Sequence, residues 1–169
     1  MEASAKPCAV LADMVVDKTT WGRASRPRQI EWQSVIDDLI SIATFSVGDA
    51  VFSGLQQKLH GQLCILPEAV VLTLTDGTGR EAGRLVLGKP VLLPMVRDYL
   101  RLLSDIESSC RSVSSSHLEA LDIARRLAHD DAADLLLRSF SGVQPDKETA
   151  RQLFSLLVLL TQGTSRLLS

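Results

Sequence analysis

The side chains best suited to chemistry crowd into one segment, His117–Phe140, which reads HLEALDIARRLAHDDAADLLLRSF. Arg125 and His129 are four residues apart, with Arg126 alongside, so on a helix the first two share a face. Two guanidiniums and an imidazole could hold a phosphate or carboxylate, because arginine presents a fixed fork of donors. The imidazole could also carry a proton near neutral pH. Lys58 and His60 form a smaller second set. If that stretch is extended, both lie on one face and could complement the Arg125/His129 face. Arg125, Arg126, His129, Lys58 and His60 are therefore the candidate patch for an anion or an acidic partner, and the sequence assigns no catalytic residue.

Each of these sets has a plainer explanation. Asp122, Arg126, Asp130, Asp134 and Arg138 follow one another at four-residue steps, the spacing of an ion-pair ladder on a solvated helix face. His129-Asp130 resembles the paired ligands of some metal phosphohydrolases, but only His60 and His117 remain as further histidines. Adjacent helix residues also point about 100° apart, so no metal or cofactor is expected. Lys58 and His60 read as an exposed strand or loop end. Tyr99 falls on an apolar stripe and is expected in the core with its hydroxyl bonded. The DGTG stretch lacks the Gly-Lys-Ser/Thr ending of a phosphate loop.

These residues need elements to position them. CAVLADMVV, residues 8–16, has the β-branched ending of a strand. A turn-rich stretch follows, and Pro27 fits the first turn of a helix over Arg28–Phe45 with Ile30, Val35, Leu39 and Ile42 near one face. A glycine-punctuated loop, SVGDAVFSG, precedes a strand near residues 62–66. AVVLTLT (69–75), DGTG and REAGRLVLG (80–88) form a β-hairpin. The rest is helical. Leu92, Val96, Tyr99, Leu103 and Ile106 form one stripe, Ser116 and Glu119 offer a capping box, and Gly142 ends the next helix. Asp146 caps the last helix, which is apolar almost all round from Leu153 to Leu160, as suits a central core helix or a subunit interface. The expected fold is α+β, with a small antiparallel sheet (N-terminal strand plus central hairpin) packed against about four helices. A single domain over 1–169 is expected, its strand, helix and hairpin in 8–88 and its C-terminal half, 91–162, all helical.

Composition bounds the function. The net charge of −2 lacks the basic excess of a general nucleic-acid binder. With aromatics at 4%, the core must be mainly aliphatic. Cys8, Cys64 and Cys110 are odd in number and show no CxxC spacing, so neither a disulfide framework nor a zinc ribbon is expected; Cys64 and Cys110 read as buried small hydrophobes. No apolar run reaches the length of a membrane span, and the N-terminus is a poor signal peptide, which points to the cytoplasm.

Residues 10–162 resemble uncharacterised protein family 0262, found chiefly in alphaproteobacteria. MVRDYL, HLEALDIARRLAHDDAADLLL and DKETARQLFSLLVLL are similar to its three helical blocks, and TTWGRASRPRQIEW, KLHG and AVVLTLTDGTG to its N-terminal half. The chain has Trp32-Gln33-Ser34 where the family tends to a charged run, and His129-Asp130-Asp131-Ala132 where it tends to His-Asn-Glu-Gly. The resemblance implies a divergent, small, cytoplasmic bacterial protein of no established activity. Two functions stay open. One is a non-enzymatic interaction or regulatory module, a homodimer or the partner of another protein. The other is a small enzyme or binding domain for an anionic metabolite, which requires the five patch residues to converge in one cleft.

Overall fold

The structure is a computed structural model that describes residues 8–47, 57–109 and 114–163. Most of the loop expected over 46–54 and the Cys110 thiol lie outside the described residues. The chain runs β1 (Cys8–Val16), α1 (Lys18–Arg23), α2 (Arg26–Ile42), β2 (Thr44–Val47), β3 (Gln57–Ile65), β4 (Ala69–Thr75), β5 (Glu81–Gly88), α3 (Lys89–Ser109), α4 (Ser115–Ser139), β6 (Phe140–Ser141), β7 (Val143–Pro145) and α5 (Lys147–Gly163). The α+β expectation holds, and β1 and the β4–β5 hairpin fall where the residues place them.

The sheet is larger than expected and is mixed. Its order is β6-β5-β4-β3-β1-β2-β7, and β1 runs parallel to β3 while the other pairs are antiparallel. The C-terminal half is likewise not all helical, since β6 and β7 separate α4 from α5. These are the two outermost strands of the sheet order, yet only Gly142 divides them in sequence. Residues 140–145 thus bond to β5 with one end and to β2 with the other, and the curled sheet is closed through a single short segment.

Two glycines permit this closure. Gly142 has φ +85°, where an L side chain is strained, and a Cβ there would strike the Ala82 carbonyl oxygen. A Cβ on Gly83 would lie 2.5 Å from Val143 Cγ2 and 2.8 Å from the Ser141 carbonyl oxygen. Backbone meets backbone at this seam. The sequence presents Gly142 only as a helix end, because a two-residue strand carries no periodicity to detect.

Alternation gives the sheet one dry face. Ala9, Leu11, Met14 and Val16 of β1, Leu59, Leu63 and Ile65 of β3, Val70, Leu72 and Leu74 of β4, and Leu85 and Leu87 of β5 are all buried. In β1 the pattern survives because Leu11 pairs with Leu59 and Asp13 with His60, leaving Ala12 as a bulge that restores the core parity at Met14. The intervening residues carry a partly wet second face.

The helices cover the dry face. In α5, Leu153, Phe154, Leu156, Leu157, Val158 and Leu160 are all buried, which makes it the core helix. Its all-round apolarity is accounted for within the chain, between α4 on one side and α2 on the other. Asp146 caps it as expected, accepting from Thr149 N at 2.8 Å. α2 begins at its Ser25 cap and holds Pro27 in its first turn, but it buries Trp32, Ile36 and Leu39 and leaves Ile30 62% exposed. The indole sets that phase: Trp32 has the largest area to remove from water, and it packs on Trp21 with ring centroids 6.0 Å apart. The helix stops at Ile42, short of Phe45, because Thr44–Val47 pairs with β1 and β7. The short helix α1, where only turns were expected, is held by Asp17, whose carboxylate accepts from Thr20 N and Thr20 Oγ1 at 2.8 Å and from Ile65 N at 2.9 Å.

The hairpin loop works through Asp76 rather than through an Asp-Gly pair. Asp76 Oδ1 accepts from Thr78 N, Thr78 Oγ1 and Arg80 N, and the positive φ falls at Gly79, not Gly77. The Thr78 hydroxyl and these amides hold the Asp76 carboxyl below the usual carboxylate range.

The seam gives a test with an internal control. Gly79→Ala meets nothing within 4 Å and bears only the positive-φ cost of about 1–2 kcal/mol. Gly142→Ala carries that cost plus the clash with Ala82, so it should lower the unfolding free energy by about 2 kcal/mol or more and by more than Gly79→Ala. Urea denaturation of the two variants measures the difference, and equal losses would show that the seam is not tight.

Candidate functional site

The expected patch divides between two parts of the fold. Lys58 and His60 alternate on β3 with the buried Leu59 and Gly61, so they share the face turned away from the helices. His60 Nδ1 lies 2.9 Å from Asp13 Oδ2, the carboxylate that the β1 bulge places opposite it. Arg125, Arg126 and His129 belong to α4, on the other side of the sheet. Lys58 and His60 therefore do not complement Arg125 and His129, and the five residues form no common cleft.

On α4 the expected capping box does not form. The N-cap is Ser114, without a side-chain cap bond, and Ser116 already lies inside the first turn. The helix is held further along, where Ala132, Ala133 and Leu136 enter the core. Arg125 and His129 continue that inward face toward α3 and α5 at four-residue spacing.

His129 closes a triangle of rings. It lies 5.6 Å from Tyr99 of α3 and 5.6 Å from Phe154 of α5, while Tyr99 and Phe154 meet edge to face at 5.4 Å. Such contacts contribute about 0.5–1.5 kcal/mol each beyond area burial. His129 Nε2 lies 2.9 Å from the Arg151 carbonyl oxygen and 3.3 Å from Ser155 Oγ. A carbonyl can only accept, so Nε2 carries the proton and donates. Burial pushes the imidazole pKa below its ordinary value, opposed by the Arg151 carbonyl and reinforced by the Arg151 and Arg125 charges. His129 is therefore a neutral donor that ties α4 to α5.

The arginines are engaged as well. Arg125 Nη2 and Nε donate to Asp122 Oδ1 at 3.0 and 3.2 Å, and Tyr99 is buried in the core as its stripe implies. Arg126 pairs with the other oxygen of Asp122 at 2.8 Å. The Arg125 hydrogen bond leads the effects that hold the Asp122 carboxyl low. Beyond this first rung the expected ladder does not run along α4. Asp130 accepts from Arg151 Nε at 2.7 Å, which holds its carboxyl low, and Asp134 lies 3.8 Å from Lys147 Nζ. These pairs cross to α5 because α4 packs there, which spacing within one helix cannot reveal. Arg151, Ser155 and Lys147 were thus missed. The faint signal for them was that Arg151 and Ser155 stand four residues apart on one face of α5.

This network can orient helices and carry charge across their contact, but its donors point at protein acceptors. No group of three or more His, Cys, Asp or Glu among the described residues could hold a metal ion. Cys64 is only partly buried, and desolvation followed by the nearby Asp17 charge raises its thiol pKa. Cys8 is exposed. None of the helices formed by the described residues is long and apolar enough to cross a membrane.

The outward side of α4 differs in character. Ile123 and Leu127 are 57% and 59% exposed and stand four residues apart, with exposed Ala120 one turn before them. On the same side stand two exposed carboxylates, Glu119 four residues before Ile123 and Asp131 four residues after Leu127.

His129 provides a pH test. Its folded pKa is lowered, so the unfolded chain binds the proton more tightly. Stability is fully present above the unfolded value of about 6.5 and declines as pH falls from there toward the folded value. His129→Phe keeps a ring in the triangle and removes the titration. Its stability deficit relative to the parent, read from urea midpoints, should be larger at pH 7.5 than at pH 5.5. A deficit that does not change with pH would mean that the ring titrates normally.

Comparison with known proteins places this geometry. The family described as Uncharacterised protein family (UPF0262) matches residues 9–163. A UPF0262 protein of Novosphingobium aromaticivorans is 30% identical over 135 residues, covering 77% of this chain and 82% of that one. One from Brucella anthropi is 28% identical over 159 residues, covering 93% and 96%. A third, from Brucella canis, is 29% identical over 156 residues, covering 91% and 94%. No solved structure matches the chain.

Proposed function

Since the chain belongs to the uncharacterised protein family UPF0262, whose description carries no activity, we propose its role from geometry: a non-enzymatic protein-interaction or regulatory module of the cytoplasm. The carrying observation is the contrast between the two sides of α4. The chemistry-bearing side is closed by Tyr99, Phe154, Arg151 and Asp122, whereas Ile123 and Leu127 face outward between the exposed carboxylates of Glu119 and Asp131, which form an acidic rim. Large apolar side chains grouped on a surface mark contact sites more often than isolated ones do. The rim selects a partner that offers apolar side chains between lysines or arginines, since like charges across an interface cost several kcal/mol. That partner is a second copy of the chain or another protein; α5, the earlier reason to expect a homodimer, lies in the core and does not bear on the choice. The free thiols of Cys8 and Cys64 fit a reducing compartment. The alternative anion-binding reading gains no support from a patch whose members lie on opposite sides of the sheet.

A photo-crosslinking residue at Leu127, installed in cells, should give a discrete adduct that is absent when it is placed at exposed Asp38 on α2. Light scattering of the purified chain then separates self-association from a different partner. Ile123→Asp should remove the adduct without moving the melting temperature by more than about 2 °C, as expected of an exposed site. Equal, diffuse labelling from both positions would overturn the proposal.

A further inference from the structure

A cleft of about 220 Å³ opens between the end of β1, α1 and α2, on ground separate from α4. Met14, Val15 and Val16 form one wall, and Trp21 and Ile36 the other. The backbone explains why the space exists. β1 ends at Val16 and turns directly into α1 through the Asp17 cap, so Trp21 stands one helical turn from the strand. Trp21 leans on the buried Trp32 at 57° between ring planes, which fixes the indole as a wall.

Two polar side chains complete the lining. Lys18 is exposed, has no ion-pair partner among the described residues, and is the one charged group among the described residues that line the cleft. Gln33 gives one amide hydrogen to Asp37 Oδ1 at 2.8 Å and retains a second. Asp17 does not line the cleft, and its carboxylate is already occupied by Thr20 and Ile65.

We propose that this cleft binds a small aryl carboxylate, its ring between Val15, Ile36 and Trp21 and its carboxylate toward the Lys18 ammonium. The walls require an apolar body, and the lone cation selects an anion. The volume lies below the roughly 300–1,000 Å³ of drug-sized sites, which restricts the ligand to about one ring. A flat, rigid ring suits an indole wall better than a flexible chain, because stacking adds attraction and little ordering entropy is lost. The site is independent of the interaction surface, and either can fail without the other.

The test uses benzoate, with benzyl alcohol and benzylamine as the neutral and cationic counterparts. The chain has two tryptophans, so its indole N–H groups give two resonances that can be followed by NMR. Millimolar benzoate should move the Trp21 signal and leave Trp32 nearly still, benzyl alcohol should bind more weakly, and benzylamine more weakly again. Lys18→Gln should weaken benzoate binding about threefold, the size an exposed ion pair supplies, and Lys18→Arg should restore it. Val15→Phe, at a position 59% exposed, should fill the cleft and abolish the shift while the melting temperature stays unchanged. An unmoved Trp21 signal, equal binding of the three probes, or undiminished binding to Lys18→Gln would each overturn the proposal.

Discussion

Closure of the sheet depends on the absence of two methyl-sized groups. At Gly83 and Gly142 the strands approach so nearly that a Cβ on either would enter the space of the opposing backbone. A tight approach of this kind lets five residues, Phe140 and Ser141 on one side and Val143 to Pro145 on the other, join edges that would otherwise stand apart. Much else follows from that joint. Phe45 and Phe140 come within 6.2 Å of each other, Val143 enters the core, and α5 starts beside Thr44, whose amide donates to Thr149 Oγ1 at 3.0 Å. The core helix is delivered to its place by the segment that seals the sheet.

Within the helical layer, polar groups fix orientation where apolar packing leaves freedom. Leu and Val side chains exclude water in many relative rotations of two helices, whereas a hydrogen bond from His129 to the Arg151 carbonyl tolerates few. The ring contact between His129 and Tyr99 extends the joint to α3. This arrangement explains why the segment looks reactive in sequence. A neutral half-buried histidine, a tethered arginine and a tyrosine are common to catalytic sites and to structural hydrogen-bond networks, and the distinction lies in whether their donors meet substrate or backbone.

Residues 69–88 and the last helix were readable because their signals are local. β-branched alternation marks β4, and Asp146 with its downstream threonine marks the start of α5. The three-helix C-terminal half was readable for the same reason, as were Leu92, Val96 and Tyr99 on one stripe. The parallel pairing of β1 with β3 was not, since nothing in either strand records its partner. The two short strands around Gly142 were hidden by their length. Of the candidate patch, the helical i, i+4 relation of Arg125 and His129 was correct, but its partners Arg151 and Ser155 come from a helix more than twenty residues on. The side of the sheet that carries Lys58 and His60 was legible only as an alternation, not as a direction relative to α4.

The sealing segment also sets an order of events during synthesis. Every strand from β1 to β5 precedes residue 89, yet the piece that occupies the outer edges of β2 and β5 emerges only after α3 and α4. Until then the outer edges of β2 and β5 and the apolar face that α5 covers have no partner in the part of the chain already made. Unpaired edges are templates for other chains. Residues 140–163 therefore deliver together the strand that closes the sheet and the helix that fills its core.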